Sequence, residues 1–236
     1  MKLLKPNEIG KGILIEHDAG HISPSDNRHI IKEIKENSKD TPIMMYAVLQ
    51  KAGVENRNGR VYPKEILERE VNKYQTLIEQ GRALSELNHP ESSLVDLERS
   101  SHRVVKTFWE GDVLMGELEI LTSPAYQSTG IISCVGDIAA NLLRHGVTLG
   151  ISSRGVGSIK SKGNQNIVQE DFELICFDLV SSPSTPGAYL FNNVEDREKY
   201  DETLGEEKEG TMSIDTSAGN DSLNLMKKLD SYLGEL

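Results

Sequence analysis

The chain has 236 residues and a formal net charge of −11, with 37% hydrophobic and 5% aromatic residues. No apolar run reaches the roughly 18–20 residues that span a bilayer, and the N-terminus lacks the apolar stretch and small-residue cleavage site of an export signal. Twelve acidic and five basic residues over 195–236 carry −7 of the charge, so the body is nearly balanced and has no basic patch suited to nucleic acid.

Residues 1–40 are polar and broken by glycine and Ser23-Pro24, with apolar pattern only at 12–15 and 29–34. They predict a peripheral N-terminal arm. A compact domain is expected over 41–194, opening with a buried strand at 43–50. Asn58-Gly59 signals a turn, and Pro63 suits the first turn of the following helix. That helix carries Ile66, Leu67, Val71, Tyr74, Leu77 and Ile78 at helical spacing, with Gly81 as its C-terminal cap. Residues 104–109 and 113–121 read as a hairpin around Glu110-Gly111-Asp112. A second helix is expected to be capped by Asp137, to bury Ile138, Leu142 and Leu143, and to end at Gly146.

A strand from Val147 then leads into a glycine-bracketed turn, Gly150-Ile151-Ser152-Ser153-Arg154-Gly155-Val156-Gly157-Ser158. Gly163-Asn164 marks another hairpin, and 172–180 a strongly apolar strand. Short strands with two helices and no βαβ alternation place the chain in the α+β class, as a mainly antiparallel sheet or small barrel decorated by helices. Residues 195–236 read as an acidic linker ending in an amphipathic segment that needs a partner to fold. Cys134 and Cys176 are expected to sit reduced in the core.

The chemistry concentrates at three places. Ser152 lies in the glycine-bracketed segment, and a serine hydroxyl needs a base to become a nucleophile. His89, constrained in Glu86-Leu87-Asn88-His89-Pro90, is the best-placed base, because His17, His21 and His29 fall in the arm. Asp178 interrupts an apolar strand, where period-two geometry puts it on the face of Phe172, Leu174, Cys176 and Val180. A carboxylate on such a face requires a donor or cation, and the His89 ring would serve. Backbone N–H groups of Ser153 and Arg154 are candidate oxyanion donors, with Gly150, Gly155 and Gly157 letting the chain turn sharply around them. Singly, these features better describe a β-turn, a rigid loop and a structural acceptor. Their combination points to a serine hydrolase, although Ser152-Ser153-Arg154-Gly155 departs from the Gly-x-Ser-x-Gly elbow of α/β-hydrolases.

Four ordered segments resemble the prohead core protein proteases of T-even-type bacteriophages: Asn56-Arg57-Asn58-Gly59-Arg60-Val61-Tyr62-Pro63, Glu86-Leu87-Asn88-His89-Pro90, the 150–158 segment, and Asp178-Leu179-Val180-Ser181-Ser182-Pro183-Ser184-Thr185-Pro186. The resemblance covers about 43–191. It implies a β-barrel surrounded by helices, as in the herpesvirus assemblins, and a serine endopeptidase with His89 and Ser152 at the positions of the family's histidine and nucleophile. Asp178 is assigned as the third member. The resemblance also implies phage scaffold or core proteins and major capsid protein precursors as substrates, inside the assembling prohead in the host cytoplasm, with self-association left open. No nucleic acid, membrane, metal or organic cofactor is implied. The family cuts after glutamate with a hydrophobic residue two positions earlier, a pattern present at Leu204-Gly205-Glu206. The competing expectations are a non-catalytic capsid-core protein on the same fold, and a metal hydrolase built on His17, Asp18 and His21.

Overall fold

The computed structural model describes residues 12–15, 42–163 and 165–192. The expectations for the rest of the arm, for His17, His21 and His29, and for 195–236 lie outside the described residues. In chain order the elements are β1 (Gly12–Ile15), β2 (Ile43–Lys51), β3 (Arg60–Val61), α1 (Lys64–Glu79), β4 (Leu84–Glu86), β5 (Ser100–Glu110), β6 (Val113–Ile120), α2 (Pro124–Thr129), α3 (Val135–Arg144), β7 (Gly150–Gly157), β8 (Ile159–Lys162), β9 (Gln165–Val168), β10 (Glu173–Val180) and β11 (Leu190–Phe191).

The largest sheet has the order β11-β2-β6-β5-β4. Alternation builds it: Met45, Ala47 and Leu49 of β2 and Leu114, Leu118 and Ile120 of β6 are buried in one core. Gly116 is required there because a Cβ would stand 2.6 Å from Leu49 Cδ1. The β5–β6 hairpin turns over Gly111-Asp112, with Glu110 opposite Val113 and Gly111 at φ +60°. Glycine reaches that left-handed conformation without a Cβ clash.

Helix α1 buries Ile66, Leu67, Val71 and Tyr74. Pro63 is its N-cap rather than a first-turn residue. At the other end Gly81 sits at φ +66°, its N–H donating to Ile78 O at 2.9 Å and that of Arg82 to Leu77 O at 2.7 Å. These are the two bonds of a Schellman cap. Helix α3 differs from the expected pattern, because Cys134 is its N-cap and Asp137 occupies the third helical position. Its buried face is Ala139, Ala140 and Leu143, whereas Ile138 is exposed. Cys134 is also exposed, so only Cys176 of the two free cysteines is in the interior.

A second sheet, β1-β7-β10, carries the candidate site, and a third, β3-β9-β8, draws β8 and β9 from the chain between β7 and β10. The 150–158 segment is therefore a central strand, not a turn, and it begins at Gly150 rather than Val147. Its glycines admit neighbours. A Cβ on Gly150 would come 2.5 Å from Pro183 Cδ, and one on Gly155 2.4 Å from Phe172 Cε2. Neither residue has positive φ, so close packing rather than chain reversal explains them.

The fold is mixed α+β, mostly strands with few helices. The two larger sheets touch through single bridges, Leu87 to Leu179 and Gly150 to Tyr189, rather than through ladders. Among the described residues no continuous hydrogen-bonded barrel closes.

Candidate active site

Strand β7 pairs antiparallel with β10, and this register places Ser152 directly opposite Asp178. Directly opposed residues on adjacent strands share a face, so hydroxyl and carboxylate project to the same side. The parity of β10 differs from a simple alternation. A bulge lies between Leu174 and Cys176, leaving Ile175 as the extra residue. Leu174 accordingly packs against the same core as Phe177 and Leu179, and Asp178 does not share a face with Leu174. Asp178 lies instead among polar groups.

His89 arrives from the segment after β4. The Asn88 N–H donates to Leu179 O at 2.8 Å, which ties this segment to β10 beside Asp178. Asn88 has φ +68°, the one positive φ of a non-glycine residue among the described residues. Asparagine tolerates that conformation better than most side chains. The ring of His89 thereby bridges the two strands. Its Nε2 lies 2.9 Å from Ser152 Oγ and its Nδ1 2.7 Å from Asp178 Oδ2. The second contact is close but off the ideal hydrogen-bond axis. Ser152 is 1% exposed and the His89 side chain 4%.

Behind this row stands a buried ionic cluster that residue-by-residue reading of the chain did not identify. Arg154, fully buried, donates from Nη2 to Glu86 Oε1 at 2.7 Å and to Asp178 Oδ1 at 3.2 Å. Its Nε lies 2.9 Å from Asp178 Oδ2. The Glu86 N–H donates to Asp178 Oδ1 at 2.9 Å. Burial opposes the charge of Arg154, but its contacts with Cys176, Asp178 and Glu86 outweigh it and hold the guanidinium above its ordinary pKa. Burial pushes the Cys176 thiol well up, so it stays protonated beside Arg154. The signal was present in the sequence: residues 152 and 154 share strand parity, so a charged side chain was due on the face of the nucleophile.

The other candidates fall elsewhere. The Ser153 side chain points away, its Oγ accepting from Gln50 Nε2 at 3.0 Å, while Thr185 Oγ1 donates to Gln50 Oε1 at 2.6 Å. Arg154 is paired on both sides, opposite Ile15 of β1 and Cys176 of β10. Its backbone amide thus faces a neighbouring strand rather than an open turn. A second buried imidazole, His102, contacts Phe177 O at 2.8 Å and Ser101 Oγ at 2.9 Å. Burial lowers its pKa to about 4, leaving it neutral near pH 7. No group of three or more acidic, histidine or cysteine side chains forms a metal cage among the described residues.

The sequence matches a family model described as prohead core protein serine protease over residues 14–198. It is 35% identical over 148 residues to the prohead core protein protease of Enterobacteria phage T4, covering 61% of this chain. The chain spans 65% of the length of that relative. The solved structure of the bacteriophage T4 capsid assembly protease is similar with a TM-score of 0.58 and 27% identity, over 73% of this chain and 99% of that one.

Proposed function

The chain belongs to the prohead core protein serine protease family, and we propose that it is a serine endopeptidase that cuts phage scaffold and capsid precursor proteins during prohead maturation. The observation that carries this reading is the row Ser152 Oγ, His89 Nε2, His89 Nδ1, Asp178 Oδ2, with separations of 2.9 and 2.7 Å at its two contacts. A non-catalytic core protein would have no need to hold a hydroxyl, a ring and a carboxylate in that order.

In this mechanism His89 carries its proton on Nδ1, toward Asp178, and presents Nε2 as acceptor to Ser152. The Ser152 oxygen attacks the peptide carbonyl while its proton passes to Nε2. The imidazolium then protonates the leaving amine, the C–N bond breaks, and a serine ester remains. Water activated by the same ring hydrolyses that ester and restores the hydroxyl. Asp178 orients the ring and stabilises its charge. The Ser153 amide remains the candidate donor for the developing oxyanion, and Arg154, paired on both sides, contributes through its side chain rather than its N–H. Because Ser152 is buried, substrate entry requires the groups covering it to move.

The T4 relatives' names place them in prohead and capsid assembly, which supports core and shell precursors as substrates inside the prohead in the infected cell. Cleavage of the chain itself at Leu204-Gly205-Glu206 fits the same reading. The bridges at Leu87–Leu179 and Gly150–Tyr189 are read as the frayed closures of a barrel related to the assemblins.

The test incubates purified scaffold precursor with the full chain and with Ser152→Ala and His89→Ala. Each variant should lose at least about 10³-fold in cleavage rate while its thermal unfolding stays within a few degrees of the parent. Full activity in Ser152→Ala would overturn the proposal.

A further inference from the structure

We propose that Arg154, clamped between Glu86 and Asp178, is a positioning residue that fixes the Asp178 carboxylate and sets the pH range in which His89 accepts the Ser152 proton. This role rests on the serine-peptidase reading above.

The geometry is specific. Asp178 Oδ2 faces both Arg154 Nε at 2.9 Å and His89 Nδ1 at 2.7 Å. Asp178 Oδ1 accepts from Arg154 Nη2 at 3.2 Å and from the Glu86 N–H at 2.9 Å. The planar guanidinium donates to Oδ1 and stands in ion-pair contact with Oδ2, while its Nε–H is directed to Cys176 Sγ at 3.2 Å, so it restricts the plane of the carboxylate and hence the direction from which Oδ2 meets the ring. Lysine, a compact point charge, cannot hold two oxygens in that way.

Energetics point the same direction. Arg154, Glu86 and Asp178 are all completely buried, and apolar residues of similar volume often stabilise a core as well as buried ion pairs do. Stability alone therefore gives little reason for three ions in this interior. Contact with the candidate base gives a better one.

The charges also alternate outward from the site. Asp178 is followed by Arg154, Glu86 and Arg99, whose Nε lies 3.2 Å from Glu86 Oε2 and whose side chain is 47% exposed. The carboxylate of Asp178 thus has a cationic partner in Arg154 besides its contact with the His89 ring. Glu86 offsets the positive charge of Arg154, which would otherwise oppose the imidazolium.

Three further buried titratable groups beside the cluster are uncharged near pH 7. Cys176 and Tyr74 are pushed up by burial and stay protonated, and His102 is neutral above about pH 4. Asp96 adjoins the outer side, its N–H donating to Glu86 Oε1 at 2.9 Å and its carboxylate accepting from the Glu98 N–H.

The test uses the full chain and a fluorophosphonate probe that labels activated serines, with the rate followed against pH. Labelling should rise along an acidic limb as His89 becomes a free acceptor. Glu86→Gln removes a negative charge, disfavours imidazolium and should move that limb to lower pH by about half a unit or more. Arg99→Gln removes a positive charge from the outer end and should move it to higher pH by less, because solvent screens that end. Arg154→Gln should lower the plateau rate about a hundredfold, with Arg154→Lys recovering only part of it.

Superimposable limbs for the unaltered chain, Glu86→Gln and Arg99→Gln would overturn the proposal, as would labelling of Arg154→Gln at the parent rate. If Arg154→Gln does not fold, the two opposed limb shifts still decide. Failure of the unaltered chain to label at Ser152 would instead overturn the peptidase reading, and the positioning role with it.

Discussion

Two regions of this protein bury an aspartate, and they treat it differently. Asp137, near the start of α3, is surrounded by neutral donors: the Ser123 N–H and hydroxyl, each at 2.7 Å, the Ser133 N–H at 2.8 Å and the Cys134 N–H at 3.0 Å. Burial opposes its charge, but these donors prevail and lower its pKa to about 2. Asp178 meets a guanidinium and an imidazole instead. The same split separates two imidazoles, since His102 rests between a hydroxyl and a carbonyl while His89 stands between a hydroxyl and a carboxylate. Burial does not make a residue reactive. A titratable partner in line with a nucleophile does.

The largest expected effect would break this contrast outright. Asp178→Asn should lower precursor cleavage by about 10³–10⁴-fold, because an amide in that position stabilises the wrong tautomer of the ring and cannot support its charge. Asp137→Asn should leave cleavage at the parent rate. Equal activity of the two variants, measured on the same scaffold precursor, would remove the distinction.

His102 supplies the next effect, and it concerns stability. Its folded pKa of about 4 lies below the ordinary 6.5, so the unfolded chain binds the extra proton more readily. Stability from this site is present above about pH 6.5 and is lost as pH falls toward 4, by about 2–3 kcal/mol. Denaturant melts of the parent and His102→Gln across that window should diverge, with the variant showing the flatter dependence.

The smallest effect belongs to Asp137. Its depressed pKa means that its contribution is present above about pH 3.8 and disappears as pH falls toward 2. At pH 7 Asp137→Asn should therefore cost about 2 kcal/mol in unfolding free energy. A chemical denaturation curve unchanged from the parent would show that the four donors do not favour the ionised form.

Much of this arrangement can be read from local chemistry. The spacing in α1 and the left-handed Gly81 are consequences of residues a few positions apart, and so are the hairpins at Gly111 and Gly163. His89, Ser152 and Asp178 stand out because each is a reactive type in a constrained or apolar setting. Residues 150–158 mislead for an equally physical reason. Glycine suits both a turn and a strand pressed against bulky neighbours, and only Pro183 and Phe172, packed from later in the chain, select the strand. The parity of Asp178 fails in the same way, because the bulge at Ile175 depends on the pairing of β10 with β7.

The sequence by itself determined the chemical groups: a serine in a glycine-bracketed segment, a histidine before proline, and an aspartate in an apolar strand. It also determined the Gly81 cap and the tight turns at Gly111 and Gly163, which depend on residues only a few positions apart. Tertiary structure alone decided that Ser152 would face Asp178 across a ladder, that Asn88 would aim His89 between them, and that Arg154 and Glu86 would enclose the carboxylate. Those contacts join residues 24 or more positions apart. Their geometry follows from sheet register and core packing, which no local pattern encodes.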